Sequence, residues 1–463
     1  MITYTALSPH PPLLIPEIGG NRFNDVKNTQ QGLQEMARQL VDSCPETVVF
    51  LTPHGNIFSD ALSALGDKEL EGDFASFGCH QGSSARNDLE LLKEIENRSQ
   101  TAHLNFLVLD GDLARSNQLQ HRLDHGILVP LYYLQQAGLP KVPVVAISIG
   151  YLPLMELYSF GGFIRDAAEA LGRSIAIVAS GDMSHFLKDE GPYQYHPDGA
   201  RFDARVKGLL ENGDVVSFVN MPEELRNNAG ECGFRSLVIM LGALDGREFT
   251  SEVFSYEGPF GVGYLTAGFV PGEERDSLLP EIRRDKLKEI EAKRRGESLP
   301  VSWARMTLES YIEKGELPTA PSEMEELKKR SAGAFVSLKR NGQLRGCIGT
   351  ISPVYNNLLS EIQHNAVAAA TEDPRFSTVE PSELPELIYS VDVLGESEPA
   401  ERSQLDPKRY GVIVSSGHRR GLLLPDLEGV DTVEEQLLIA LQKAGISTSE
   451  KYKIERFEVT RYK

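Results

Sequence analysis

Three histidines stand just beyond short apolar runs. ITYTAL (Ile2 to Leu7) leads to Pro9-His10, TVVFLT (Thr47 to Thr52) leads to Pro53-His54, and SIAIVAS (Ser174 to Ser180) leads to Gly181-Asp182-Met183-Ser184-His185. Imidazole is both a common metal ligand and a proton carrier near neutral pH, so three of them at equivalent places point to a metal or catalytic cluster. The prolines before His10 and His54 fix φ and remove a donor, which stiffens the point from which each ring projects. HRLDHGILVPLYYL adds His121 and His125, four residues apart with Asp124 between them. On a helix that spacing lets both rings chelate one ion, but the motif is not H-E-x-x-H; the favoured reading turns only Asp124-His125-Gly126 to the site. NNAGECGFRSLVIMLGAL sets Glu231 and Cys232 at the front of a long apolar helix. A carboxylate there either complements the helix dipole or completes the two-His-one-carboxylate set that leaves positions on Fe(II) open for oxygen and substrate.

The elements that must hold these residues are legible as alternating patterns. The apolar runs above, with LNFLVL (Leu104 to Leu109) and VPVVAISIG (Val142 to Gly150), read as buried strands rich in β-branched residues. Between them GLQEMARQLVDS, RNDLELLKEIENR and GGFIRDAAEALG read as helices. This alternation predicts a layered α/β domain around a mostly parallel central sheet, in which ligands bind beyond the carboxyl ends of the strands. HQGSSARNDLELL carries His80, Ser83 and Ser84, read equally well as polar residues of a helix-capping loop or as substrate contacts. Tyr193, Tyr195 and His196 in GPYQYHPDG read as a lid beyond His185 or a surface loop.

The composition narrows the function classes. The chain has 463 residues, is 41% hydrophobic and 25% charged, and carries a formal net charge of −20. Nucleic acid and anionic membranes repel such a protein, which leaves small molecules and protein partners. Its four cysteines, Cys44, Cys79, Cys232 and Cys347, show no C-x-x-C spacing, so a cytoplasmic home is expected rather than a disulfide framework. No secretion signal and no membrane anchor are expected.

Taken in order, SPHPP, TPHG, LDHG followed by VPLYYL, GDMSH and NAGECG resemble the class III extradiol ring-cleavage dioxygenases of the LigB type and their MEMO relatives, over residues 1 to 272. The resemblance implies that His10, His54 and Glu231 hold Fe(II), that His185 is the acid/base for the diol proton, and that His125 lies near bound oxygen. It implies a small aromatic diol and O2 as substrates. In the MEMO branch a cysteine stands where the dioxygenases have the carboxylate, so Cys232 is the alternative ligand; a thiolate favours softer metals such as Zn or Cu. A MEMO-like metal-binding and protein-interaction module without turnover, and a zinc-dependent hydrolase on the same ligands, are the competing functions.

Residues 273 to 299 are densely charged and read as a linker, partly helical, before a second α+β domain over 300 to 463. That domain begins with the helix VSWARMTLESYIEKG and a hairpin through FVSLKRNGQLRGCIGTI, whose Asn341-Gly342 tolerates positive φ. A helix NNLLSEIQHNAVAAAT containing His364, a strand LIYSVDVL, a hairpin GVIVSSGHRRGLLLP, a helix TVEEQLLIALQKAG and a closing strand YKIERFEVTRY follow. LRGCIG, AAATEDPRF and ELPELIYSVDVL resemble the AMMECR family, which implies a two-lobed α/β fold with a cleft near the LRGCIG strand. Arg345, Cys347, Asp373 and Arg375 are the candidate cleft residues. MEMO-like and AMMECR-like proteins occur as a set with a radical-SAM protein, so the resemblance implies such an enzyme as a partner. A homo-oligomer is compatible with the sequence.

Overall fold

The computed structural model describes residues 1–189, 193–340, 342–427 and 429–463. The chain divides into two compact units, Met1–Lys286 and Leu287–Lys463. The division falls inside the charged stretch, which is helical over Leu279–Arg294.

The first unit contains β1 (Ile2–Ser8), β2 (Thr47–Thr52), β3 (Leu62–Leu65), β4 (Glu69–Asp73), β5 (Gly82–Arg86), β6 (Phe106–Leu109), β7 (Val144–Ser148), β8 (Ile175–Ser180), β9 (Arg247–Glu257) and β10 (Tyr264–Glu274). All but the separate β4–β5 hairpin form one sheet in the order β6-β3-β7-β2-β8-β1-β10-β9. Strands β7, β2, β8 and β1 are mutually parallel. Within this mostly parallel sheet the reversed strands are β3 and β6, parallel to each other with β3 antiparallel to β7, and β10, which is antiparallel to both β1 and the edge strand β9.

The central strands are buried on both faces, which is why they read as continuous apolar runs. Alternate side chains feed two cores, as the strand period of two requires. Val49, Leu51, Ile177 and Ala179 join the core with helices Leu154–Ala170 and Phe234–Ala243. Val48, Phe50, Ala176 and Val178 face helices Lys27–Asp42 and His125–Gln136.

Register then decides what happens at the sheet's end. Leu7 and Leu51 both pair with Ala179, and Ser8 pairs with Ser180, so β1, β8 and β2 finish level with one another. Just past β8, Gly181 lies against Gly233 so closely that a Cβ on Gly181 would stand 2.0 Å from the Gly233 Cα. This backbone approach brings the segment carrying Glu231 and Cys232 onto the strand ends.

The second unit contains β11 (Ala334–Arg340), β12 (Gln343–Gly349), β13 (Leu387–Leu394), β14 (Glu398–Pro399), β15 (Gly411–Ser416), β16 (Arg419–Leu423), β17 (Lys453–Phe457) and β18 (Val459–Tyr462). They form two four-stranded sheets, β12-β11-β13-β18 and β14-β17-β15-β16. Helices Leu299–Lys314 and Leu358–Thr371 belong with the first sheet and Val433–Ala444 with the second. In the β11–β12 turn Gly342 has φ +82°, while Asn341 lies outside the described residues. The closing run expected as one strand is two, because β17 pairs with β14 and β15 whereas β18 pairs with β13. Gly346 in LRGCIG lets β12 settle on the helix: a Cβ there would meet the Ala369 carbonyl oxygen at 2.0 Å.

Gly181→Ala should therefore lower stability by about 1–3 kcal/mol through overpacking. Thermal unfolding of the variant checks this, and an unchanged midpoint would show that the strand end and the Gly233 segment separate without cost.

Candidate metal centre

Three donor atoms converge where the level strands end. The ligand atoms of His10, His54 and Cys232 all lie within 4.8 Å of one another. The Nε2 atoms of His10 and His54 are 2.9 Å apart, and Cys232 Sγ is 3.7 Å from His10 Nε2. Donors that share one ion at about 2.1 Å (N) and about 2.3 Å (S) are held at separations of this size, so the residues present fit a metal.

The orientation of His10 follows from donor and acceptor accounting. Its backbone N–H donates to Asp182 Oδ1 (3.1 Å), and its Nδ1 lies 2.9 Å from Ser180 Oγ. The Ser180 hydroxyl donates its own hydrogen to the Gly126 carbonyl. Ser180 Oγ therefore accepts from His10 Nδ1–H, which leaves the lone pair on Nε2 facing the cluster. Gly126 is fixed in turn, since its N–H donates to Asp124 Oδ1 (2.7 Å), which also accepts from the Thr52 hydroxyl (2.7 Å).

The other histidines gather round this set. The His125 ring lies 4.3 Å from that of His54, and 5.3 Å from Phe77 at the tip between β4 and β5. His185 stacks on Tyr193 at 5.2 Å, and its buried Nε2 has no hydrogen-bond partner among the described residues. Burial holds all four rings neutral: His125 and His185 fall to about 4, His10 lies well below the usual value, and His54 is also lowered. Neutral imidazole is the form that ligates metal or accepts a proton. Burial, with the nearby Asp182 carboxylate, pushes the Cys232 thiol well up. A bound cation reverses that preference.

Of the two candidates for the third ligand, Cys232 is the one that meets the imidazoles. The Glu231 carboxylate turns away to accept the Phe234 N–H (2.6 Å) at the front of helix Phe234–Ala243, the dipole-complement role. His121 does not pair with His125 on a helix, because Asp124 caps a helix that begins only at His125. His80 is exposed and Ser83 and Ser84 lie in β5; the helix cap is Asp88. His196 caps helix Pro197–Glu211, and Tyr195 donates its N–H to Asp189 (3.0 Å), while Gly191 and Pro192 of the expected lid lie outside the described residues.

Sequence reasoning passed over Asp182 and Ser180. Asp182 Oδ2 lies 3.9 Å from His10 Nε2, and burial pushes its carboxyl up to about 7. Its place, two residues past β8 as His10 is two past β1, was the available signal.

In the second unit, Asp373 accepts the Cys347 N–H (2.9 Å) and pairs with Arg375 (2.6 Å), whose guanidinium holds the carboxyl far below its usual value. Arg345 forks onto Glu383 (2.8 and 2.9 Å) and donates to the Ser377 carbonyl (2.8 Å). The Cys347 thiol accepts from the Ser337 hydroxyl at 3.2 Å. Asp373, Arg375 and the Cys347 backbone are thus brought together, with their polar atoms spent on fixing the loop. His364 stacks on Tyr355 at 3.8 Å, away from these contacts.

Known proteins match both units. The family model for the catalytic LigB subunit of aromatic ring-opening dioxygenase matches residues 4–267, and the AMMECR1 model matches residues 301–463. Protein CA_C1420 of Clostridium acetobutylicum is 40% identical over 460 residues, covering 99% of this chain and 98% of that protein. A Thermotoga maritima protein is 56% identical over 173 residues, which is 36% of this chain and 99% of the relative. Among solved structures, the uncharacterized protein JW3007 from Escherichia coli K12 covers 57% of this chain and 99% of its own at 17% identity, with a TM-score of 0.40.

Asp124 yields a pH prediction. Burial raises its carboxyl from 3.8 to about 6, so between those values the folded chain binds more protons than the unfolded one, and stability falls as pH rises. Both of its hydrogen bonds end on Oδ1, so Asp124→Asn can keep them. The variant should gain on the parent by up to about 3 kcal/mol between pH 4 and pH 7 in denaturant titrations; parallel pH profiles would contradict this.

Proposed function

The chain belongs to the family of the catalytic LigB subunit of aromatic ring-opening dioxygenase, here joined to an AMMECR1 unit, and on that footing we propose that its first unit opens a small aromatic diol with O2. The reading rests on the match of residues 4–267 to the catalytic LigB subunit, together with a neutral His185 whose Nε2 has no partner among the described residues, near the donor set of His10, His54 and Cys232. These three residues would hold the ion, which is Fe(II) on the family relation, in a donor set whose thiolate also suits Zn or Cu. Bound there, the ion supplies a Lewis acid with open positions at which diol and O2 meet.

The chain's own groups do the rest. His185 is neutral, and its Nε2 lacks a partner among the described residues, so it can take the diol proton at that atom and return it later. Tyr193 covers one face of that ring and keeps water from it. His125 lies next to His54, with Phe77 against its ring. Ser180 and Gly126 keep the His10 lone pair aimed at the ion. The Cys232 thiol must give up its proton to ligate, so metal affinity falls as pH falls. A radical-SAM enzyme is the proposed protein partner, on the strength of the two joined units.

Anaerobically purified chain loaded with Fe(II) should consume oxygen with some members of a panel of catechols, matched by ring-opened product in the absorbance spectrum. His185→Ala should lower turnover by about 10²–10⁴-fold with iron retained. Iron verified in the site with no uptake for any diol would overturn the oxygenase reading and leave a metal-binding module. Cys232→Ser should weaken iron binding while Glu231→Gln leaves it unchanged; the reverse pattern would restore the carboxylate as ligand.

A further inference from the structure

Two arginines flank the segment that delivers Cys232. Arg226 sits on helix Glu223–Ala229 just before it, and Arg235 lies three residues after the thiol, in the first turn of helix Phe234–Ala243. The segment between them is tied to the metal centre: the Ala229 carbonyl accepts the His185 N–H (3.1 Å), and the Cys232 N–H donates to the Asp182 carbonyl (3.3 Å).

Both guanidinium groups are mostly buried, and burial lowers both from their usual range. The Arg226 side chain forms no hydrogen bond or ion pair among the described residues and its Nε is buried without a partner; its guanidinium lies 4.8 Å from the Phe234 ring and feels the attraction of Glu231 and Glu223. Arg235 lies 5.0 Å over the Tyr151 ring and donates once, to the Leu152 carbonyl at 3.1 Å. The buried Glu231 carboxylate attracts both guanidinium groups but accepts its hydrogen bond from the Phe234 N–H, and Glu223, which also attracts both, is exposed. Two mostly buried cations therefore share the attraction of one buried and one exposed carboxylate, and neither carboxylate is hydrogen-bonded to them among the described residues. A buried charge without a partner is costly, and an arrangement that leaves this much donor capacity idle is one that a ligand completes.

Tyr151 follows β7 by three residues and is half exposed, so the pair opens at the carboxyl end of the sheet, where the metal centre also lies. We infer that Arg226 and Arg235 form an anion subsite beside the metal centre, which receives a carboxylate or phosphate group carried by the bound molecule. This inference rests on the proposed function for its placement of substrate, and the subsite can be tested without turnover.

Calorimetric titration of the full chain with benzoate, phenyl phosphate and the neutral benzamide tests it. At least one anionic probe should bind about tenfold or more tightly than benzamide. The stronger of the two tells carboxylate from phosphate. Arg226→Gln and Arg235→Gln should each abolish the preference, with iron content and thermal midpoint retained, and Arg226→Lys should restore part of it. Equal binding of all three probes, or a preference that survives both Gln substitutions, overturns the subsite. Oxygen uptake with the whole catechol panel reads the other question separately: uptake with any diol but no anion preference sinks the subsite alone, and anion preference with no uptake for any diol sinks the oxygenase reading alone.

Discussion

The parallel register of β1, β8 and β2 is the constraint on which the metal centre depends. A register slip of one residue in either pair would turn the buried side chains of that strand to the opposite core and displace a histidine from its neighbours. The same alternation that fills two cores therefore fixes the height at which each imidazole emerges, and the prolines preceding His10 and His54 restrict how far each can stray. Precision at the site is borrowed from the sheet, whose central strands have almost no exposed surface.

A second layer of control comes from small residues. Gly181 and Gly233 let two backbones touch, and Gly126 fits between Thr52, Asp124 and Ser180, where a Cβ would meet Thr52 Oγ1 at 2.5 Å. These contacts convert three separate strand ends into one hydrogen-bonded assembly. Such close approach adds to the burial that lowers the histidine pKa values.

Much of this was legible in the sequence because buried parallel strands carry an unambiguous apolar signal and the histidines follow them at short, repeated distances. Which of Glu231 and Cys232 meets the histidines was not legible, because the two are adjacent and only the local turn decides which faces inward; the Phe234 N–H captures the carboxylate and leaves the thiol 3.7 Å from His10 Nε2. The edge strand β9 was not legible as a buried run, because REFTSEVFSYE is largely polar and its residues are mostly half-buried or exposed in alternation. The split of the final strand was hidden for a different reason: its residues have uniform strand character, and the break at Glu458 is set by which sheet lies alongside, with the Glu458 carbonyl accepting the Gly395 N–H at 2.8 Å.

That break has a thermodynamic meaning for the second unit. Phe457 pairs into one sheet and Val459 into the other, with a single residue between them. Tension or disorder that frees either strand is passed at once to its neighbour, since one residue spans too short a distance to absorb the slack. A one-residue connection of this kind couples the two sheets and favours their opening together.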